Sequence, residues 1–208
     1  YGLRLSTLKN GWDISAFYYR STDITPTFYR QFDAPTTFAY QARHDRIHQY
    51  GGTVSKDFGD VVLKAEAVYT SGRSFTSLNF ADADGVVRQN TLDWAAGLDF
   101  TLPAETRLNV QIFQRQFFDF DSSIISDKQE NGYSLLINNK FANNWEAQAV
   151  FISSLNRTDW LFRPRITWNF EKNWRWIAGA DIFYGPQAAM FGRYDNQDRV
   201  YLTVRHDF

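Results

Sequence analysis

The chain has 208 residues, of which 7 Trp, 11 Tyr and 19 Phe make an aromatic share of 18% within a hydrophobic total of 44%. Its formal net charge of −1 gives no reason to expect nucleic acid as a partner. It contains no Cys, which excludes disulfide scaffolds, Cys-based zinc sites and cysteine nucleophiles, and no run approaches the roughly 20 apolar residues of a transmembrane helix.

Taken in chain order, the dominant pattern is alternation, the signature of strands rather than helices. It predicts about eleven strands, at 2–8, 12–21, 45–58, 60–71, 91–102, 105–118, 131–141, 144–155, 159–171, 174–184 and 198–208. In the segment after Thr91, Leu92, Trp94, Ala96, Leu98, Phe100 and Leu102 form one face, opposite Asp93, Ala95, Gly97, Asp99 and Thr101. Later, Trp145, Ala147, Ala149 and Phe151 oppose Glu146 and Gln148, and Trp176, Ala178, Ala180 and Ile182 oppose Arg175, Gly179 and Asp181. No segment carries a convincing amphipathic helix.

The connections alternate in length. Short turns are expected at Lys9–Gly11, Gly59, Pro103–Ala104, Ala142–Asn143 and Glu171–Asn173, with Asn10-Gly11 the strongest hairpin signal because both residues tolerate positive φ. Longer polar connections fall at 22–44, 72–90, 119–130, 156–158 and 185–197. Within 22–44, the stretches Phe28–Phe32 and Thr36–Ala42 are candidates for extra strands or an extended hairpin. Sorting of connections by length is the layout of an up-and-down transmembrane β-barrel, with short periplasmic turns and long outside loops. The expected fold is therefore an all-β, antiparallel up-and-down barrel across residues 1–208. An even strand number is the rule for bacterial barrels, so the count of eleven reads as the C-terminal part of a larger barrel, and Tyr1 is not expected to be its native start.

A repeat supports this. Strands entering a short turn end in a polar residue and a Phe: Asp57-Phe58, Asp99-Phe100, Lys140-Phe141, Asn169-Phe170 and Asp207-Phe208. Two of them continue to a Trp four residues on, Trp145 and Trp174. Phe58, Phe100, Phe141, Trp145, Phe170, Trp174, Trp176 and Phe208 are thus the expected membrane-interface aromatics, since rings at one depth form a belt between headgroups and hydrocarbon.

The last strand, Val200-Tyr201-Leu202-Thr203-Val204-Arg205-His206-Asp207-Phe208, resembles the C-terminal strand of Gram-negative outer-membrane barrels. The resemblance implies recognition by the barrel-assembly machinery, with Phe208 as the signal. The preceding segment, Phe191 to Arg199, resembles the final outside loop of an uncharacterised proteobacterial porin-like family. That implies passage or export across the outer membrane, with outer-membrane lipid and lipopolysaccharide as surroundings.

If the apolar face meets lipid, the opposite face lines a lumen. Its expected lining includes Arg163, Arg165, Arg175, Arg205, Arg107, Arg115, Lys64, Glu66, Asp99, Glu146 and Asp181. Arg163, Arg165, Arg175 and Arg205 are the expected centre of lumen electrostatics, because charges on a confined wall can guide anions. Residue by residue, each Arg is expected to pair with a carboxylate across the strand, and the cluster as a whole carries the expectation of anion guidance. His44 and His48 would lie about 13 Å apart on an extended strand, too far to share a metal, so no metal site and no cofactor are expected. The expected function is an outer-membrane channel for small or hydrophobic solutes, and not an enzyme. Two alternatives are a structural sleeve or export barrel around a periplasmic partner or polymer, and an enzyme with a rim site drawn from His44, Asp45, His48, Asp119 and Asp121. The loop aromatics, among them Phe75 and Phe120, are expected to fold inward or pack on each other.

Overall fold

The computed structural model describes residues 1–34 and 37–207. Thirteen strands occur among them: β1 (Gly2–Lys9), β2 (Trp12–Thr22), β3 (Thr27–Ala34), β4 (Thr37–Arg43), β5 (Arg46–Asp57), β6 (Val61–Thr76), β7 (Val86–Leu102), β8 (Thr106–Phe118), β9 (Gln129–Phe141), β10 (Trp145–Ser154), β11 (Trp160–Glu171), β12 (Trp174–Tyr184) and β13 (Arg199–His206). The only helical element among the described residues is a single 3-10 turn, Gly192–Tyr194.

The protein is all-β. Eleven strands make one sheet in the order β1-β2-β5-β6-β7-β8-β9-β10-β11-β12-β13, and β3 and β4 form a separate two-stranded sheet. The registers between β1 and β2 and from β9 through β13 are antiparallel. β1 and β13 stand at the two ends of this order.

The hairpin turns explain much of this order. Asn10 and Gly11 both have positive φ, 53° and 74°, the geometry that matches the twist of the flanking strands. Ala142 and Asn143 repeat it at 49° and 62° between β9 and β10. The polar connection expected over 22–44 contains β3 and β4, paired from Thr27↔Arg43 through Phe32↔Phe38. The expected ends of β6 and β7 fall short: these strands run on to Thr76 and back to Val86. Apolar alternation fades there because the buried side chains are polar, namely Thr70, Ser74, Gln89 and Thr91.

Two compact units divide the chain: residues 1–55, 65–95 and 114–130, and residues 56–64, 96–113 and 131–208. In the first, Ser15 on β2 bonds Thr53 on β5 at 2.7 Å and accepts from Arg4 at 3.2 Å. Its connections are knit together. Asp23 pairs with Arg73 at 2.7 Å, Leu78 donates its N–H to the Ser123 carbonyl, and Phe117, fully buried, packs its ring between Phe75 and Phe120. Of the loop aromatics, Phe75 and Phe120 each pack on Phe117, and Phe32 and Phe38 pack on each other at 5.0 Å between centroids while remaining exposed, as do Phe28, Tyr40 and Phe80.

The second unit carries the antiparallel run β9 to β13. Its alternation is strict: Ile137, Ala149, Pro164, Ile166, Ala178 and Leu202 share one face, and Gln148, Arg165, Gly179 and Tyr201 share the other.

Candidate functional site: two opposed faces of the sheet

Burial in this protein is inverted relative to a water-soluble sheet. Among the described residues the buried hydrophobic side chains are Ile47, Phe117, Ile124, Leu161, Ala189 and Phe191, while the buried polar ones are twice as numerous and include Ser15, Thr70, Thr91, Thr167 and Asp181. Leu135, Ile137, Ile166, Trp168, Trp176 and Leu202 all point to solvent on the apolar face of β9–β13. A soluble domain hides such a face, because exposed contiguous apolar area is costly in water.

Ten Phe, Tyr and Trp rings of β9–β12 fall in two rows. Near the short turns, Phe141 stacks on Trp145 at 6.4 Å between centroids and Trp145 on Trp168 at 5.2 Å, and Trp168 meets Phe170 at a tilt at 5.3 Å. Phe170 then meets Trp174 and Trp176, each at 6.4 Å, and Trp174 packs on His206 at 4.4 Å. Near the longer connections a second row runs Tyr133–Phe151–Trp160–Tyr184, with spacings of 6.0, 5.9 and 5.4 Å. The second row is absent from the sequence-based list. Its members sit at unrelated offsets from their turns, and only strand register shows that they align. The rows are eight residues apart on β9 (Tyr133 to Phe141), β11 (Trp160 to Trp168) and β12 (Trp176 to Tyr184), which is about 27 Å of extended strand. Between them lies a shallow depression of about 560 Å³ floored by Ala147, Ala149, Pro164, Ala178 and Ala180.

Of the expected interface aromatics, Phe141, Trp145, Phe170, Trp174 and Trp176 therefore meet in one row. Phe58 is exposed with the Lys56 ammonium 5.8 Å from its ring centroid, and Phe100 is half-buried on β7. Phe208 lies outside the described residues. The first unit has its own row, Tyr18–Tyr50–Tyr69–Phe118, at 4.9, 6.5 and 5.7 Å.

The opposite face gathers the charges. Asp181 on β12, 1% exposed, accepts from both Arg163 on β11 and Arg199 on β13. Asp207 accepts in the same way from Arg175 and from Arg205, the latter at 2.7 Å. Elsewhere in the second unit Lys64 pairs with Asp99 at 2.7 Å, which also accepts from Asn109 at 2.6 Å, and within the first unit Arg115 pairs with Asp93 at 2.5 Å. Glu146 accepts from Asn138 at 2.6 Å. A cavity of about 350 Å³ near the turns brings Lys140, Glu146 and Arg175 to one wall. Arg107 and Glu66 are exposed, and Arg165 is half-buried; none of the three has an ion pair or side-chain hydrogen bond among the described residues. Of the four arginines placed at the centre of this face, Arg163 and Arg175 pair with a carboxylate on or just beyond the neighbouring strand, Arg205 pairs with Asp207 two residues on, and Arg165 stays unpaired among the described residues.

The histidines do not converge. The His44 ring meets the Asp23 carbonyl at 2.8 Å, and the His48 ring meets the Tyr18 hydroxyl at 2.8 Å on the apolar face. No group of three or more His, Asp or Glu side chains comes together as a metal site among the described residues. Asp45, in the connection between β4 and β5, accepts from Tyr29 at 2.6 Å. Partial burial opposes its ionisation, but hydrogen bonds from Ser74 and Tyr29, with the charges of Arg88 and Arg43, outweigh that and hold its carboxyl below the ordinary value of 3.8. Asp121 is also held low, by the backbone N–H and hydroxyl of Ser123. Each of these carboxylates is engaged by donors of the strands and loops around it, Asp45 by the Tyr29 hydroxyl and Asp121 by the Ser123 N–H. No family model matches the chain, and no curated protein matches it.

Proposed function

We propose that these strands belong to a transmembrane β-barrel of a Gram-negative outer membrane and that the barrel passes small solutes. The observation that carries the reading is the pair of aromatic rows bracketing an exposed apolar face. At the usual strand tilt near 40°, about 27 Å of strand spans about 20 Å of height, close to the roughly 25 Å apolar band that aromatic girdles flank in such barrels. In this reading the Ala, Ile, Leu and Pro side chains between the rows meet acyl chains, and the rings sit among headgroups, including those of lipopolysaccharide. Val200, Leu202 and Val204, exposed on the end strand β13, offer the assembly machinery an alternating apolar edge.

The reverse face supports passage. Its ion pairs and hydrogen-bonded amides are the content of a hydrated interior, where charge can be carried without facing hydrocarbon. Reconstitution of the protein in a planar bilayer tests this. Steady ohmic current is expected. A folded and inserted protein that stays silent would overturn passage and favour a sleeve around a periplasmic partner or a rim enzyme.

A further inference from the structure

Five arginines line the polar face of β11–β13, and four are committed: Arg163 and Arg199 to Asp181, Arg175 and Arg205 to Asp207. Arg165 is the exception. It lies midway along the wall, with no ion pair and no hydrogen bond among the described residues. Five positive charges against two carboxylates leave three in excess on this wall, so an anion there meets a favourable field.

The neighbours of Arg165 are hydrogen-bonding groups that are also unspent. Gln148 lies directly opposite on β10, and Gly179 directly opposite on β12. Tyr201 lies opposite Gly179 on β13. Gly179 is the gap in the row: the Tyr201 hydroxyl occupies it, 2.5 Å from where a Cβ would stand. The phenol is thereby delivered across β12 toward Arg165. Neither the Gln148 amide nor the Tyr201 hydroxyl has a hydrogen-bond partner among the described residues.

We infer that Arg165, Gln148 and Tyr201 form a binding subsite for the oxyanion group, carboxylate or phosphate, of a small solute. The inference rests on the reading of this face as the lining of a solute path. The guanidinium fork matches two oxygens of such a group, which an ammonium cannot do. The phenol and amide supply further donors, and the absence of a local carboxylate on Arg165 keeps the fork open.

The test follows inorganic phosphate by phosphorus NMR line broadening on the detergent-solubilised protein, alongside chloride current across a bilayer. The wild type should broaden the signal. Arg165→Gln and Arg165→Lys should each weaken binding by about tenfold, the loss of one charge-assisted hydrogen bond, and Tyr201→Phe by about threefold, the loss of a neutral one. Lys9→Gln, at the β1–β2 turn, should leave binding unchanged. Displacement of phosphate by acetate identifies a general oxyanion site, and failure of acetate identifies a phosphate site; both support the subsite. Binding that persists in Arg165→Gln, or is fully kept in Arg165→Lys, overturns it. Phosphate binding without current leaves the subsite standing and removes the channel, whereas current without phosphate binding does the reverse.

Discussion

Trp145 and Trp168 stack across β10 and β11 with ring centroids 5.2 Å apart and planes only 6° from parallel. They are directly opposite in register, so the strand pairing itself brings the rings together. An aromatic pair of this kind contributes about 0.5–1.5 kcal/mol beyond the area it covers. A double-mutant cycle with Trp145→Ala and Trp168→Ala, read by urea unfolding from lipid vesicles, should return a coupling of that size. Strict additivity would show that the row is a coincidence of register and not a cooperative belt.

Asp181 makes a sharper case. Its side chain is almost wholly inaccessible and serves two arginines. Asp181→Ala leaves both cations without their shared counter-charge, but in contact with solvent, and should destabilise the fold by about 1–2 kcal/mol for the two partly exposed pairs together. Arg199→Ala should cost much less, because Arg199 is largely exposed and Arg163 still holds the acid. Equal losses in the two variants would mean that Arg199 and not Asp181 organises the cluster.

Arg30 is a buried cation with no carboxylate partner among the described residues. Its guanidinium donates to the carbonyls of Asn79, Phe80 and Asp82, and stacks near the rings of Phe38 and Phe80. Gly85 lies against it: a Cβ there would come within 3.1 Å of the Arg30 side chain, at a φ of +64°. Arg30→Ala should release the 79–84 connection, at a local cost of about 2 kcal/mol from charge-assisted hydrogen bonds. Gly85→Ala should release it too, through backbone conformation and crowding together. Hydrogen exchange of residues 79–85 should rise in both variants; protection equal to wild type in either would remove Arg30 as the clamp.

The pH dependence of the loops follows from Asp45. A carboxyl held below its unfolded value stabilises the fold fully above that value, and the contribution is lost as pH falls through the folded value. Acidification below about pH 4 should therefore loosen the contact between Tyr29 on β3 and Asp45, seen as faster exchange in the β3–β4 hairpin. In Asp45→Asn the hairpin should lose this acid-dependent step. An unchanged step in that variant would assign it to another group.

Strand positions were largely legible because period-two alternation survives wherever one face is apolar and the other polar, as in β9–β13. It failed at the tops of β6 and β7, where Thr70, Ser74, Gln89 and Thr91 are buried polar groups and carry no apolar rhythm. The turn-side aromatic row was visible because a polar-Phe pair repeats before four of the five short turns. The row of Tyr133, Phe151, Trp160 and Tyr184 was hidden, since its alignment depends on register between strands of different length. The charges show the same limit. Their face could be read from parity, but Arg163 and Arg165 are indistinguishable by parity, and only the position of Asp181 separates a neutralised arginine from an open one.

In the proposed barrel the Ile137–Ile166–Ala178 face lies in hydrocarbon and the Gln148–Thr203 face in water. The absence of native Cys allows single spin labels at each of these five positions in turn. Labels at Ile137, Ile166 and Ala178 in reconstituted vesicles should be accessible to oxygen and shielded from a polar nickel complex. Labels at Gln148 and Thr203 should show the opposite. Accessibility that does not alternate with residue parity, or oxygen exposure on the Gln148 face, would contradict the account.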